Sequence, residues 1–402
     1  MAGHAVAAKI VADAVATRFA GEVRAASGTD AALQFRTARG NTMNDAAAQI
    51  ADRLARYLGA PVASCKVLAS GWETTVFEFT VDGRAAKTKL PVNRPLVLRF
   101  YQAKDGASKG AREFHILAAL TGTRCVVPRP YCFEPDADPL GAPFLVMDRV
   151  AGGPLLPTHS FFCAFRTFSL AFFAFVRTQI ELHRLDAKSL GLDRIAPAFA
   201  PEGQPADAPL LNRMLGTIAA RVESGPLPQL KPALDWAAAR APGFAAGSAS
   251  FLHLDYHPLN TIVKGVHLTG VIDWVFADTG DRNLDAAMTA MIISSYAFER
   301  PRWLSANVSG NTLRKIFSTL YVALYHSMAP LDFERFRYFQ AVAALHRLSM
   351  FGIMRRRGAE LEGFRPEAAA DVTPAVLRLL SRYAARKTGT AIALDQPSLS
   401  AA

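Results

Sequence analysis

The stretch "FLHLDYHPLNTIV" (residues 251–263) sets two histidines, an aspartate and an asparagine between apolar runs. Two readings of it lead to different proteins. On an extended strand His253, Asp255 and His257 alternate, point to one face and make a candidate metal-ligand triad. Alternatively, Pro258 bends the chain into a loop, where Asp255 and Asn260 share one side and the imidazoles hydrogen-bond backbone groups. Ten residues on from the start of "NTIV" comes "GVIDW", an apolar run that delivers Asp273 beside the loop. Two carboxylates and an amide then converge with no histidine required. That trio suits phosphoryl transfer: one aspartate takes or orients the acceptor hydroxyl's proton, while asparagine and the second aspartate hold magnesium against nucleotide phosphates. Hard magnesium prefers those oxygens to imidazole.

The chain around this loop divides by periodicity. From 65 to 101, "SCKVLASG", "TTVFEFTVDG" and "PLVLRFY" alternate with period two, separated by Asp82-Gly83 and Asn93-Arg94-Pro95, which predicts an antiparallel meander. "SKGAREFHILAAL" predicts a helix with Phe114, Leu117 and Leu120 on one side, and "PFLVMDRVAGG" a further strand ending in a Gly-Gly segment. Beyond 160, apolar spacings of three and four predict helices over 160–185, 208–223, 229–240, 284–297, 311–328, 332–355 and 373–386. Only 251–276 breaks that rule, with short strands flanking the polar loop. The expected organisation is an amino-terminal extension (1–42), a small lobe (43–147), a hinge (148–153), a large helical lobe (154–390) and a tail (391–402). In the extension, Val6, Ile10, Ala14, Phe19 and Val23 follow near-helical spacing. At 43–59, "MNDAAAQIADRLARYLG" predicts a helix capped by Asn44 or Asp45 and stopped by Gly59.

Composition bounds the function. The 402 residues are 51% hydrophobic and 20% charged, enough for a large folded core rather than a disordered chain. Four cysteines (Cys65, Cys125, Cys132, Cys163) lack the paired spacing of a zinc or dithiol site, which fits a reducing cytosol. The most apolar run, "FFCAFRTFSLAFFAFVR", is interrupted by Arg166 and closed by Arg177, too short for a membrane span. The formal charge of +11 suits an anionic partner such as nucleotide phosphate. Basic residues are spread along the chain, and "MRRRG" (354–358) reads as a solvated helix end rather than a nucleic-acid patch.

A histidine, an aspartate two later, an asparagine five beyond it and an aspartate on the next strand follow the order of a protein-kinase catalytic loop. "HLDYHPLNTIV" and "GVIDWVFADTGDRNLDAA" resemble the catalytic and metal-binding segments of the aminoglycoside phosphotransferase and choline kinase-like family of small-molecule kinases. The resemblance extends through "LASGWETTVFEF", "PLVLRFY", "AREFHILAAL", "PFLVMDRVAGGPL" and "IELHRLD", over roughly residues 60 to 350. It implies an α+β, protein kinase-like two-lobe fold, with a small lobe of antiparallel sheet plus helix and a large, mostly helical lobe. It also implies ATP (GTP being possible) as donor, Mg2+, and a small hydroxyl-bearing acceptor. By the same resemblance Asp255 matches the catalytic base, Asn260 and Asp273 the metal ligands, His253 a histidine bracing the loop, and His257 with Pro258 the loop-shaping pair.

"ASGWETTVF" takes the place of the phosphate-covering loop, with Ser70, Gly71 and Thr74 or Thr75 as donors. Arg99 in "VLRF" stands where protein kinases carry a lysine; arginine can still grip phosphate and pair with Glu113. An acid at Glu113, taken as the start of its helix, would also be favoured there by the dipole. Lys104 or Lys109 could assist, although solvated lysines are the plainer expectation. "VMDRV" matches the hinge, where the Asp148 carbonyl and Val150 amide meet adenine and Met147 lines the pocket. Asp281 is expected to tie the metal strand to the next helix, Asp285 to lie in that helix's first turn, and His183 to be a core residue.

Acids are sparse between 286 and 359, which disfavours a cationic polyamine sugar as acceptor and suggests a partly apolar or anionic one. Two rivals remain at this level: a catalytically silent nucleotide-binding module, given Arg99, and a metallohydrolase built on His253, Asp255 and His257.

Overall fold

The computed structural model describes residues 40–70, 72–83, 89–155, 170–245, 247, 249–295 and 310–394. The chain separates into two compact units, Met1–Asp45 and Ala46–Ala402. Of the first, only the opening of one helix is described, and the helical spacing read at 6–23 lies outside the described residues, as does most of the first half of the 160–185 segment.

Helix α1 (Gly40–Leu58) begins upstream of its expected caps. Asn44 and Asp45 sit inside it, because nothing between Gly40 and Asp45 breaks helical hydrogen bonding and no proline intervenes. Its end matches expectation: Gly59 at φ +66° closes the helix by donating to the Ala55 carbonyl at 2.9 Å.

A five-stranded antiparallel sheet follows in the order β1-β2-β3-β5-β4, from β1 (Val62–Ser70), β2 (Thr74–Val81), β3 (Leu96–Tyr101), β4 (Pro130–Glu134) and β5 (Phe144–Asp148). Strand β4 is absent from the periodicity reading, since it is a half-buried edge strand that starts on a proline and carries no alternation. Central β3 is buried along its whole length because both faces of the sheet are covered. Leu96, Leu98 and Phe100 pack with Leu54 and Leu58 of α1 in one cluster, while Val97 and Tyr101 join the second, larger core. The two-residue period therefore sends Arg99 to the face that carries Val97 and Tyr101. On that face lies α2 (Gly106–Leu120), which brings Ile116, Leu117 and Leu120 into the core. A Cβ on Gly110 would fall on the Phe133 ring, so only glycine allows α2 this close to the sheet.

The remainder is mostly helical: α3 (Phe172–His183), α4 (Leu210–Ser224), α5 (Lys231–Arg240), α6 (Arg282–Ser295), α7 (Gly310–Met328), α8 (Phe333–Arg357) and α9 (Pro374–Thr388). Nearly every residue of α6 from Asn283 to Ile293 is buried, as is most of α8 from Phe336 to Met354. Asp332 caps α8 by accepting from the Glu334 and Arg335 amides at 3.0 and 3.1 Å, and Arg355, Arg356 and Arg357 complement its carboxy end. Among the helices lie two small antiparallel sheets: β6 (Gly153–Pro154), β8 (Thr261–Lys264) and β9 (His267–Val271), and the pair β7 (Ser250–Leu252) with β10 (Asp278–Gly280). The fold is thus α+β, with an amino-terminal antiparallel sheet and a mostly helical carboxy-terminal part. Among the described residues no helix is long and apolar enough to cross a membrane.

Candidate active site

The loop between β7 and β8 turns back on itself, so Asp255 and Asn260 meet. The Asn260 side-chain amide donates to the Asp255 carbonyl at 3.0 Å and to Asp255 Oδ2 at 3.1 Å. On the other side, the Ile272 amide donates to the Asn260 carbonyl at 2.9 Å, which sets Asp273 next to Asn260 just beyond the end of β9. Among the described residues Asn260 Oδ1 has no protein partner, and Asp273, about a third exposed, engages only one of its oxygens. Two hard oxygen atoms thus remain free at neighbouring positions, a donor set suited to magnesium with phosphate oxygens and water completing the shell.

Two residues here adopt left-handed backbone: Leu254 at φ 61° and Asp273 at φ 69°. Such conformations cost about 1–3 kcal/mol for a non-glycine residue and persist only where the surroundings enforce them. For Leu254 the enforcement is Asp285, fully buried in α6, whose Oδ1 accepts from the Leu254 amide at 2.6 Å and Oδ2 from the His253 amide at 3.4 Å. Asp285 also accepts from the Gln179 amide at 3.0 Å and contacts His183 Nε2 at 2.8 Å. His183 reaches on to the Tyr325 hydroxyl at 2.7 Å. Asp285 falls in the first turn of its helix, as expected, and its carboxylate holds the loop backbone at His253 and Leu254.

The imidazoles settle the opening alternative against a metal triad. His253 is fully buried, with Nε2 at 3.1 Å from the Ile272 carbonyl and Nδ1 accepting the Asp255 amide at 3.3 Å, and its ring lies on Trp274. Both its nitrogens are used, and burial pushes its pKa down. His257 accepts the Leu259 amide on Nδ1 at 3.2 Å and presents Nε2 to Asp255 Oδ2 at 3.4 Å. The metallohydrolase reading therefore fails, because Pro258 closes a loop where the triad needs a straight strand. Among the described residues no group of three histidine, cysteine, aspartate or glutamate side chains is arranged for a metal ion.

Arg99 connects the sheet to this loop. Its Nη2 donates to Asp273 Oδ1 at 2.7 Å, and its Nη1 lies 3.4 Å from Glu113 Oε1. Glu113 lies well inside α2 rather than at its start, and it is buried, accepting from the Tyr101 hydroxyl at 2.6 Å and the Trp274 amide at 3.4 Å. A dipole explanation for this acid is thereby removed. Burial acts against the Arg99 charge, but Asp273 and Glu113 outweigh it and raise its pKa well above the ordinary value.

Of the remaining predicted residues, Gly71 lies outside the described residues, and Ser70 pairs through its backbone with Thr75 at the end of the β1–β2 hairpin. Thr74 is buried opposite Tyr101. Met147 is buried in β5; Asp148 accepts from Tyr131 at 2.7 Å and pairs with Arg94 by its side chain, and the Val150 side chain packs where a Cβ on Gly270 would stand. Lys104 stays on the surface, whereas Lys109 is drawn to Glu73 at 3.4 Å and Asp105 at 3.3 Å. Asp281 joins α6 to α8, accepting from Asn283 and from Arg335 Nε at 2.5 Å.

Two residues enter the site without having been singled out. Arg347 of α8 donates from Nη2 to Asp255 Oδ1 at 2.6 Å. Burial would raise the Asp255 pKa, but His257 and Arg347 together hold it below the usual carboxylate range. A charged residue inside the apolar run "AALHRLSMFGIM" was its only sequence signal. Glu73, at the hairpin tip, lies beside Asp273 with a tenth of its side chain exposed; desolvation pushes its pKa up to about 7 against the pull of Lys109, and its Oε2 has no hydrogen-bond partner.

In sequence, the profile of the phosphotransferase enzyme family matches residues 64–331, more than half of the chain. The chain belongs to that family. As a phosphotransferase it is an enzyme that moves a phosphoryl group to a hydroxyl of a small molecule. No curated protein matches it in sequence. Among solved structures, a thermostable variant of aminoglycoside phosphotransferase APH(4)-Ia in ternary complex with AMP-PNP and hygromycin B is 16% identical, with TM-score 0.55 over 84% of this chain and 99% of that one. The GDP complex of a variant aminoglycoside 2'-phosphotransferase-IIIa is 17% identical, with TM-score 0.53 over 85% and 99%. Macrolide 2'-phosphotransferase type I is 14% identical, with TM-score 0.52 over 81% and 94%. At these identities the likeness establishes that the phosphotransferase has their kinase-like fold.

Proposed function

We propose that the protein is a cytosolic, ATP-dependent phosphotransferase in which Asp255 receives the acceptor proton and Asn260 with Asp273 holds Mg2+. The observation that carries this reading is the Arg99–Asp273 contact at 2.7 Å, which joins the central strand of the sheet to the loop where Asn260 binds Asp255. Base, metal ligands and phosphate-gripping cation thereby share one locus.

In the reaction, the acceptor oxygen forms a bond to the γ-phosphorus as the bond to the ADP oxygen breaks, and the hydroxyl proton passes to Asp255. Asn260 fixes Asp255 Oδ2, so the carboxylate is oriented before the acceptor arrives. Bound Mg2+ would supply neutralisation of the phosphate charge. Arg99, held by Glu113, presents its guanidinium to the donor phosphates, and Met147, the Asp148 carbonyl and the Val150 amide line the adenine side. The backbone at Ser70, with Thr74, covers the phosphates. AMP-PNP and GDP in the complexes of related fold support a nucleoside triphosphate as donor, with GTP an alternative to ATP. The boundaries of the two lobes at 43–147 and 154–390, joined through 148–153, belong to the same reading.

The test is Mg2+-dependent nucleotide consumption over a panel of hydroxyl compounds, with Asp255→Asn as control. Turnover with at least one acceptor and its loss by a factor of about 10³ in the variant are expected, within the range for a general base. Nucleotide binding with no turnover on any acceptor would favour a silent module, and wild-type turnover by Asp255→Asn would remove that residue from its role.

A further inference from the structure

The proposed catalytic aspartate is held by a cation from the far end of the helical region. Arg347 and Asp255 are each partly open, with 15% and 13% of their side chains exposed. The contact is one-pronged: Nη2 meets Oδ1, while among the described residues Nη1 and Nε have no partner and are not sealed in the interior. A brace that served stability alone would use the two-pronged geometry available to arginine and carboxylate. Arg221 of α4 does so nearby, gripping Glu362 with Nε at 2.9 Å and Nη2 at 2.5 Å. The next turn of α8 places the Phe351 ring 5.9 Å from the Arg347 guanidinium, and Trp72 of the β1–β2 hairpin meets that ring edge-on at 5.6 Å.

We infer that Arg347 is the specificity-determining residue for the acceptor, and that the acceptor carries a carboxylate or phosphate close to the hydroxyl that is phosphorylated. This rests on the phosphotransfer reading above. Asp255 Oδ2 is committed to Asn260 and His257, so the acceptor hydroxyl must take Oδ1, the oxygen that Arg347 occupies. A hydroxyl hydrogen-bonded there lies beside the unused guanidinium edge, and two contacts of about 2.7–3.0 Å put the anionic oxygen roughly 3–6 Å from the hydroxyl oxygen. Compounds with the hydroxyl on the same carbon as the anionic group, or one or two carbons away, span that distance. Engaging the anion draws Arg347 from Asp255 and frees the base when a substrate is in place. A cationic acceptor meets the opposite arrangement: the Asp255 carboxylate it would seek is already neutralised. Among the described residues around Arg347, Glu362 is consumed by Arg221, and His346 lies against Arg221 Nη1 at 3.1 Å. His346 itself stays uncharged, because burial and then the two arginines push its pKa well down.

The experiment uses matched compounds that share hydroxyls and differ in charge: glycerol 3-phosphate, glycerate, glycerol and ethanolamine. Affinity is measured by calorimetry in the presence of Mg-ADP, and phosphoryl transfer by nucleotide consumption. Glycerol 3-phosphate or glycerate is expected to bind at least tenfold more tightly than glycerol or ethanolamine, and the order of the first two tells phosphate from carboxylate. Arg347→Gln should raise the Kd for the anionic compounds at least tenfold while changing that of Mg-ADP less than twofold, and Arg347→Lys should recover part of the loss. Equal affinity for the neutral, cationic and anionic compounds in the wild type would overturn the inference even if the variants fail to fold. So would unchanged anion affinity in a folded Arg347→Gln. Anion binding through Arg347 without transfer to any compound would instead sink the phosphotransfer reading and leave the anion site standing. Transfer to neutral or cationic compounds regardless of Arg347 would do the reverse.

Discussion

The Trp72 indole nitrogen donates to Asp371 Oδ2 at 2.7 Å, while the Trp72 carbonyl accepts the Arg365 amide at 2.6 Å. These two bonds strap the tip of the β1–β2 hairpin to the chain that leaves α8, and the Phe351 and Phe364 rings flank the indole at 5.6 and 5.8 Å. Trp72→Ala is expected to lower stability by roughly 1–3 kcal/mol, less than for a fully buried aromatic because Trp72 is only half-buried. Trp72→Phe keeps ring contacts and loses the N–H, for a loss of about 1 kcal/mol. Urea unfolding of both variants checks the pair; equal stability for Trp72→Phe and wild type would show that the Asp371 bond contributes nothing.

Asp285 contributes to the acid dependence of folding. Burial alone would raise its pKa, but donation from His183 and Gln179 wins and holds it below the ordinary value. A carboxylate depressed in the folded state stabilises above the unfolded pKa of about 4, and that contribution is lost as pH falls through 4 toward the folded value. Asp285→Asn turns an N–H against the Leu254 and His253 donors, so a loss of about 2–4 kcal/mol at pH 7 is expected, with a flatter decline between pH 5 and 3. Denaturation at pH 7, 5 and 3.5 measures it, and a decline parallel to wild type would rule it out.

Glu73 has the opposite sign. Its folded pKa stands near 7, raised by burial, so its contribution is present below the unfolded value of about 4.3 and is lost as pH rises through 7. Glu73→Gln should therefore lose less stability between pH 4.5 and 8 than wild type. With a negative charge removed beside Asp273 and Arg99, it should also bind ATP several-fold more tightly at pH 8. Thermal melts across that range and calorimetry at its upper end are the measurements; weaker ATP binding would mean that Glu73 supports the phosphate site through Lys109.

Asp273→Ala is expected to weaken ATP binding at least tenfold with Mg2+ and to change it little in EDTA. Alanine tolerates the left-handed backbone poorly, so Asp273→Asn, which accepts it better, separates strain from lost coordination. Equal loss with and without Mg2+ in both variants would take Asp273 out of the metal site.

Much of the site was legible because its members lie close in sequence. Asp255 and Asn260 belong to one turn, and the antiparallel return from β8 to β9 brings Asp273 back, so spacing and Pro258 sufficed. The strands and helices were legible where one face is apolar, and less so at β4, whose edge position leaves no alternation. Asn44 and Asp45 misled because a capping residue type is also tolerated within a helix when the backbone ahead of it is already helical.

What the amino-acid sequence by itself determined here is the α+β order of elements and the polar loop at 253–260 with its partner at 273, since both follow from local periodicity and short-range backbone bonding. What only the tertiary structure decided is the company that loop keeps. Arg347, Asp285 and Glu73 arrive from helices and a hairpin far along the chain, and Asp285 meets the amides of a strained Leu254. Such contacts depend on how α6 and α8 pack and which way each side chain faces in a close-packed core, and no local pattern of residues encodes that.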